Sequence, residues 1–287
     1  MSRLGIYLMQ CSAVLPLRWV RAIGWLLGHL LFWLVASRRR VVETNLKLCF
    51  PALAAGERRR LARRTFVAFG QSWMDRGWLW HAPPEVVARR LHLTGALAEM
   101  DGLAPTIMFC PHFYGLDAAA TVIALQVPRR FTSIYTQQAD PLVNEWIKRG
   151  RQRFGDSRLF SRATGVKEIV ASLRSGDVFY LLPDMDFGAA DSVFVPFFGV
   201  QAATLPSVPR FARLGRAKVV TVLPRITPQG YTVELLPAWK DFPSDDAVAD
   251  TALMNRRLEA LIDTMPEQYY WVHKRFKTRP AGEGSVY

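Results

Sequence analysis

The apolar positions of this chain change rhythm twice. From Leu4 to Val35 they are nearly continuous, interrupted by Pro16, Arg18 and Arg21, with an unbroken run from Ala22 to Ala36 that contains only His29 as a polar residue. That run is shorter than the roughly 20 residues that cross a bilayer. No small-x-small cleavage site follows it; Arg38, Arg39 and Arg40 come instead, so the segment is expected to be retained. Trp19, Trp25 and Trp33 beside arginines fit an interfacial or tilted anchor with its basic end on the cytoplasmic side. The alternative is an ordinary buried hairpin of two helices. Over 38–48 and 55–80 the spacing turns helical, with Leu61, Thr65, Ala68, Phe69 and Trp73 three or four apart.

After Leu91 the rhythm changes again, to short apolar runs separated by helical stretches. The runs TIMFC (106–110), RFTSIY (130–135), DVFYLL (177–182), AKVVTVL (217–223) and YTVELL (231–236) read as strands. Helices are expected over about 115–126, 140–150, 164–174 and 205–214. Strands alternating with helices predict an α/β fold, a central mostly parallel or mixed sheet flanked by helices, preceded by an amino-terminal helical membrane anchor. No linker or low-complexity stretch divides the chain. The expected organisation is residues 1–36 as the hydrophobic anchoring segment and 37–287 as one catalytic-sized domain.

Charge adds a constraint on partners. Lys and Arg number 37 against 24 Asp and Glu, for a formal net charge of +13. Such a surface suits anionic lipid, an acidic protein or nucleic acid. Nucleic acid is disfavoured, because none of the spaced aromatic or metal-finger signatures of its readers occurs. Cys11, Cys49 and Cys110 are scattered in apolar contexts and read as buried reduced thiols rather than a disulfide or metal framework.

The chemistry-bearing stretch is PTIMFCPHFYGLD, where an apolar strand ends and His112 is followed five residues later by Asp117. In open α/β sheets ligands bind beyond the carboxyl ends of strands, where the chain turns into the next helix. With His112 in that turn, Gly115 giving it freedom and Asp117 in the first helical turn, the imidazole can take a proton from a hydroxyl. The carboxylate would then fix the tautomer and stabilise the imidazolium. No G-x-S-x-G elbow supplies a nucleophile and Cys110 reads as buried, so the hydroxyl belongs to the substrate and direct acyl transfer is the expected reaction. A satisfied histidine at a strand end is the bland alternative.

Four blocks in order carry a resemblance: RRRVVETNLKLCFP (38–51), PHFYGLD (111–117), YLLPDMDFGAADSVFVPFFGVQAAT (180–204) and PEQYYWVHKRFKTRP (266–280). Together they resemble the late acyltransferases of lipid A biosynthesis, the lauroyl and myristoyl transferases of Gram-negative bacteria. These share an H-x4-D/E motif with the glycerophosphate acyltransferases. The resemblance implies a glycerophosphate-acyltransferase-like sheet and a His112–Asp117 dyad. It further implies a required arginine in GRQRFG, taken as Arg151, and a further active-site carboxylate at Asp184. Met185 stands where members often carry Gln or His.

The resemblance also implies acyl carrier protein as donor, a Kdo-bearing, phosphorylated lipid A precursor as acceptor, no cofactor, and a place on the cytoplasmic face of the inner membrane. Rival readings are the same chemistry on another glycolipid or amino-acid lipid, a non-catalytic lipid-binding protein, and a thioesterase.

Other residues carry two readings each. Arg149, Arg151 and Arg153 are candidate clamps for phosphate, phosphopantetheine or a developing oxyanion, or a solvated basic face. Phe197 and Phe198, with Phe194, are core, or line an acyl slot. Asp184 and Asp186 are an active-site or turn pair rather than a metal pair. His273, among cations, is expected not to be a base, since its neighbours disfavour the imidazolium.

Overall fold

The computed structural model describes residues 3–161 and 164–287; residues 1 and 2 of the expected anchoring segment lie outside them. Among the described residues five α-helices come first: α1 (Arg3–Cys11), α2 (Leu17–Leu34), α3 (Ala36–Cys49), α4 (Ala55–His81) and α5 (Pro84–Arg89). Val20, Gly24, Gly28 and Phe32 form one buried stripe of α2, the 3.6-residue period of a docked helix face. The stripe packs on α4 at close range. A Cβ on Gly24 would stand 2.6 Å from Gln71 Cα, one on Gly28 2.5 Å from Phe66 O, and one on Gly70 2.3 Å from Gly24 O. Glycine is what lets the two backbones approach this closely.

This packing changes the picture of the first 36 residues. α2 is docked along the 27-residue α4, and the hydrophobic residues of its opposite side, among them Trp19, Leu26, Leu30 and Trp33, are exposed. No single described helix is long and apolar enough to cross a membrane; α2 and α3 pass that test only as a pair, bent by 91°. Cys11, expected to be buried, is exposed, whereas Cys49 and Cys110 are buried.

The remainder alternates: β1 (Leu91–Gly95), β2 (Thr106–Phe109), α6 (Leu116–Gln126), β3 (Phe131–Tyr135), α7 (Pro141–Arg151), β4 (Ser157–Ser161), α8 (Val166–Arg174) and β5 (Val178–Leu181). A two-stranded hairpin, β6 (Val193–Phe197) and β7 (Val200–Thr204), precedes α9 (Ser207–Gly215), β8 (Lys218–Thr227), β9 (Gly230–Leu235) and α10 (Ala247–Thr264). Seven strands form one sheet in the order β1-β9-β8-β2-β5-β3-β4. All neighbours are parallel except β8 and β9, so the expected mostly parallel, helix-flanked sheet is what forms.

Side chains alternate across the central strands with the period of two that a pleated strand imposes. Ile107, Phe109, Phe179 and Leu181 meet Ile169 and Leu173 of α8 and Val208 and Phe211 of α9 in one core. Met108, Cys110, Val178 and Tyr180 meet Ala118 and Val122 of α6 and Trp146 and Ile147 of α7 in the other. With both faces covered, β2 and β5 are buried at every position, which is why they read as unbroken apolar runs.

β2 and β5 run side by side in a fixed register, Phe109 opposite Leu181. Three residues beyond each of these lie His112 and Asp184. The loops leaving the two strands are therefore neighbours at one edge of the sheet.

Candidate active site

The register decides the partner of His112. Its Nδ1 lies 2.7 Å from Asp184 Oδ1, and its backbone N–H donates to Asp184 Oδ2 at 3.0 Å. An ionised carboxylate only accepts, so Nδ1 carries the proton in this bond and Nε2 is left with the lone pair when the ring is neutral. Tyr269 Oη donates to Asp184 Oδ2 at 3.0 Å. Burial pushes the Asp184 carboxyl up, but the His112 charge and hydrogen bonds and the Tyr269 hydroxyl outweigh it, holding the group at about 2. Asp184 is fully buried, while the imidazole is 20 % exposed. The geometry is that of a base oriented by a buried acid.

Asp117, the partner expected from the five-residue spacing, is elsewhere. From the first turn of α6 its Oδ2 takes Arg76 Nε at 2.9 Å and Nη2 at 2.8 Å, and its Oδ1 takes Arg151 Nε at 2.9 Å. Burial raises the Asp117 carboxyl, and Arg151 and Arg76 more than offset this, so it stays below the usual carboxylate range. Arg76 comes from α4, Arg151 from the last turn of α7. The local spacing drew attention to Asp117, but it is the strand register that brings Asp184 to the ring. Gly115 has an ordinary φ of −79°; its need is space, since a Cβ there would meet Pro224 Cβ at 2.8 Å and the Tyr231 ring at 3.1 Å.

An aromatic wall joins the two groups. The Tyr270 ring lies 6.1 Å from His112 and 5.8 Å from Tyr114, whose ring is 5.8 Å from Phe69; Phe69 stacks on Trp73 at 6.2 Å, and the Arg76 guanidinium sits 4.6 Å over Trp73. Cys110 is no thiolate here: burial raises its thiol far above its ordinary value, and its Sγ lies 2.7 Å from Tyr180 Oη.

The remaining sequence candidates separate. Arg151, 30 % exposed, is held with Nε on Asp117 and its guanidinium 5.8 Å over Tyr135. Arg149 is 79 % exposed and pairs with Glu145 on its own helix, a solvated pair. Arg153 is structural: its guanidinium donates to the Leu79 and Ala82 carbonyls, tying α7 to the end of α4. Phe197 is fully buried in the core, and Phe198 sits in the β6–β7 turn against Phe50 and Trp271. Phe197 is thus a core residue in this arrangement, and Phe198 is partly buried, packed against that core.

Asp186 is occupied by the Thr278 N–H at 2.7 Å, Thr278 Oγ1 at 2.8 Å and the Gly188 N–H at 2.9 Å, and its own N–H donates to His273 Nε2 at 2.9 Å. Asp184 and Asp186 therefore each face hydrogen-bond donors. His273 is neutral in this setting, burial chiefly holding it down to about 4.

Three residues carry the site that sequence reasoning did not single out. Arg76 had a signal, a charged pair Asp75–Arg76 inside the aromatic stretch SWMDRGWLW. Buried Asp75 binds Arg21, Trp78 Nε1 and Tyr231 Oη. Tyr269 lay within a matched block without a role. Asn45, from the first block, donates to the carbonyls of Trp271 and His273 at 2.8 Å each, so the first and last blocks hold each other.

The sequence profile of the family described as bacterial lipid A biosynthesis acyltransferases matches residues 1–278. Among characterised proteins, the lipid A biosynthesis lauroyltransferase of Escherichia coli K12 is 34% identical over 99% of this chain and 94% of its own length. The palmitoleoyltransferase of the same strain is 31% identical, covering 92% and 87%, and the myristoyltransferase 31%, covering 99% and 89%.

Proposed function

Because the chain belongs to the bacterial lipid A biosynthesis acyltransferase family, we propose that it moves a fatty acyl chain from acyl carrier protein to a hydroxyl of a Kdo-bearing lipid A precursor. In this mechanism His112 Nε2 takes the proton of the acceptor hydroxyl as its oxygen attacks the thioester carbonyl. Asp184 holds the ring in the required tautomer and stabilises the imidazolium. Collapse of the tetrahedral intermediate breaks the C–S bond, and the imidazolium returns its proton to the leaving thiolate. Arg151, with Nε fixed on Asp117, offers its terminal nitrogens to the oxyanion. Asp117 and Arg76 are positioning residues for that guanidinium. The aromatic wall from Tyr270 to Trp73 gives the acyl chain an apolar surface, worth about 0.8 kcal/mol per methylene it covers.

The observation that carries the reading is the 2.7 Å bond between His112 and a buried, ionised Asp184. The acidic carrier as donor is supported by the net charge of +13. Residence at the cytoplasmic face of the inner membrane is supported by the exposed Trp19, Ile23, Leu26, Leu30 and Trp33 along one side of α2, with exposed Tyr7 and Leu8 on α1, large apolar residues of the kind that mark interfacial contact. The test is mass spectrometry of the precursor incubated with carrier thioesters of graded chain length. A single mass increment that disappears in His112→Ala is expected. Thioester loss at equal rates with and without acceptor would assign the protein to hydrolysis instead.

A further inference from the structure

Between α2, α4 and the β8–β9 turn lies a cleft of about 660 Å³. His112, Asp117, Arg151 and Asp184 are not among its walls. Arg18 and Arg21 of α2 and Arg63 and Arg64 of α4 face it, with Glu267 as the one carboxylate among the described residues that line it. Arg21 is taken up by Asp75 at 2.8 Å and Arg64 by Glu267 at 2.8 Å. Arg18 and Arg63 have no acidic partner among the described residues. Arg63 Nε is buried without a hydrogen bond there, and its guanidinium lies 5.7 Å over the Phe32 ring. Two uncommitted guanidiniums at one cleft are forked donors suited to a phosphate.

The position of the cleft on α2 says where such a phosphate would come from. At about 100° per residue, Arg18, Arg21, Trp25 and His29 form a single stripe. The docked stripe of Val20, Gly24, Gly28 and Phe32 lies on one side of it. On the other lies the exposed apolar face of Trp19, Ile23, Leu26, Leu30 and Trp33. The cations thus rim an apolar surface, with exposed Trp25 at the boundary, the order of groups met by a lipid passing from chains to headgroup.

We propose that this cleft holds a phosphate carried by a lipid whose chains lie against the exposed face of α2. The proposal rests on the membrane-surface reading above. It adds to that reading an anionic subsite apart from the His112 centre.

The test compares Arg18→Gln/Arg63→Gln with a control pair, Lys167→Gln/Arg210→Gln on α8 and α9, which lowers the net charge equally; Arg18→Gln alone, at an exposed position, serves if the double variant melts early. One arm measures sedimentation with phosphatidylcholine vesicles with and without phosphatidylglycerol. The other measures KM and kcat for the Kdo-bearing precursor and for the same precursor stripped of phosphate.

A roughly tenfold loss of preference for the phosphatidylglycerol vesicles, absent in the control, assigns the cleft to bulk anionic phospholipid. A roughly tenfold rise in acceptor KM at unchanged kcat, absent for the stripped precursor, assigns it to the phosphate of the acceptor. No difference from wild type in either arm, or an equal effect of the control pair, overturns the proposal. If the wild-type protein acylates no precursor, the function proposed above fails, and the vesicle arm alone still decides the cleft.

Discussion

Replacing Asp184 by Asn tests the orientation of His112 directly. Three donors converge on the carboxylate: His112 Nδ1–H on one oxygen, and the His112 backbone N–H and Tyr269 Oη on the other. An asparagine has one acceptor oxygen and one NH2. The backbone N–H can only donate, so the amide oxygen turns to it and the NH2 faces Nδ1. The ring then accepts at Nδ1 and carries its proton on Nε2, the wrong nitrogen for a base. The magnitude follows from the acid. Asp184 sits at about 2 against an ordinary 3.8 even though burial acts in the opposite direction. Nearly two pKa units correspond to roughly 2–3 kcal/mol, on the order of 10²-fold.

The expected result is a fall in kcat of about 10²–10⁴ with both KM values within about twofold, read from product mass at saturating carrier thioester and acceptor, with thermal melting to verify the fold. An Asp184→Asn protein within threefold of wild-type kcat would refute the argument. So would the pattern in which only Asp117→Asn is inactive and its loss is not relieved by any change at Arg151 or Arg76.

Further consequences follow from neighbouring groups. His273 stays neutral down to about 4 in the fold and protonates near 6.5 when unfolded. Stability is therefore lost as pH falls between those values, by an amount on the order of 3 kcal/mol at most, and denaturant titrations of His273→Gln should show a flatter slope there. Gly28→Leu puts side-chain atoms where Phe66 O and Val67 Cα already stand; it should cost several kcal/mol and expose α2 to limited proteolysis, and a wild-type melting temperature would contradict the close packing. Arg149→Gln should alter stability and activity little, as an exposed ion pair predicts. Arg151→Gln should cost about 2 kcal/mol, below the range for fully buried pairs because the guanidinium is 30 % exposed and Arg76 still covers Asp117, and it should lower kcat.

The strands covered on both faces were the plainest to read, although the partly exposed RFTSIY and YTVELL were legible too. TIMF and VFYL are buried at every residue and announced themselves as apolar runs. β4, SRLFS, buries only Phe160 and offered no such run. The β6–β7 hairpin was masked by Pro196, tolerated because it lies exposed in a separate two-stranded sheet. α10 had a readable start, Asp246 accepting from the Val248 and Ala249 N–H groups, but its mixed face hid it. The composition of the first 36 residues shows only that they are apolar. What composition does not contain is the glycine seam with α4, because a tertiary close approach depends on residues on both helices.

The site was legible in its members but not in its pairing, and the reason is geometric. His112 and Asp117 belong to one turn, so their spacing is visible locally. His112 and Asp184 are 72 positions apart, and Phe109 and Leu181, paired in the sheet, are also 72 apart. The same offset carried three residues past the strand ends delivers the acid to the ring, but only once β5 is known to lie beside β2. The turn from 112 to 117 then joins two assemblies with different duties. One end presents an imidazole fixed by the sheet; the other, in the first turn of α6 where a carboxylate is favoured by the helix dipole, anchors arginines arriving from α4 and α7. In the proposed mechanism, substituting either aspartate should lower activity, yet through different atoms: Asp184 through the tautomer of the base, Asp117 through the placement of Arg151. Restoring a guanidinium-binding acceptor at 117, as in Asp117→Glu, should therefore recover activity, whereas no acceptor at 117 should rescue Asp184→Asn.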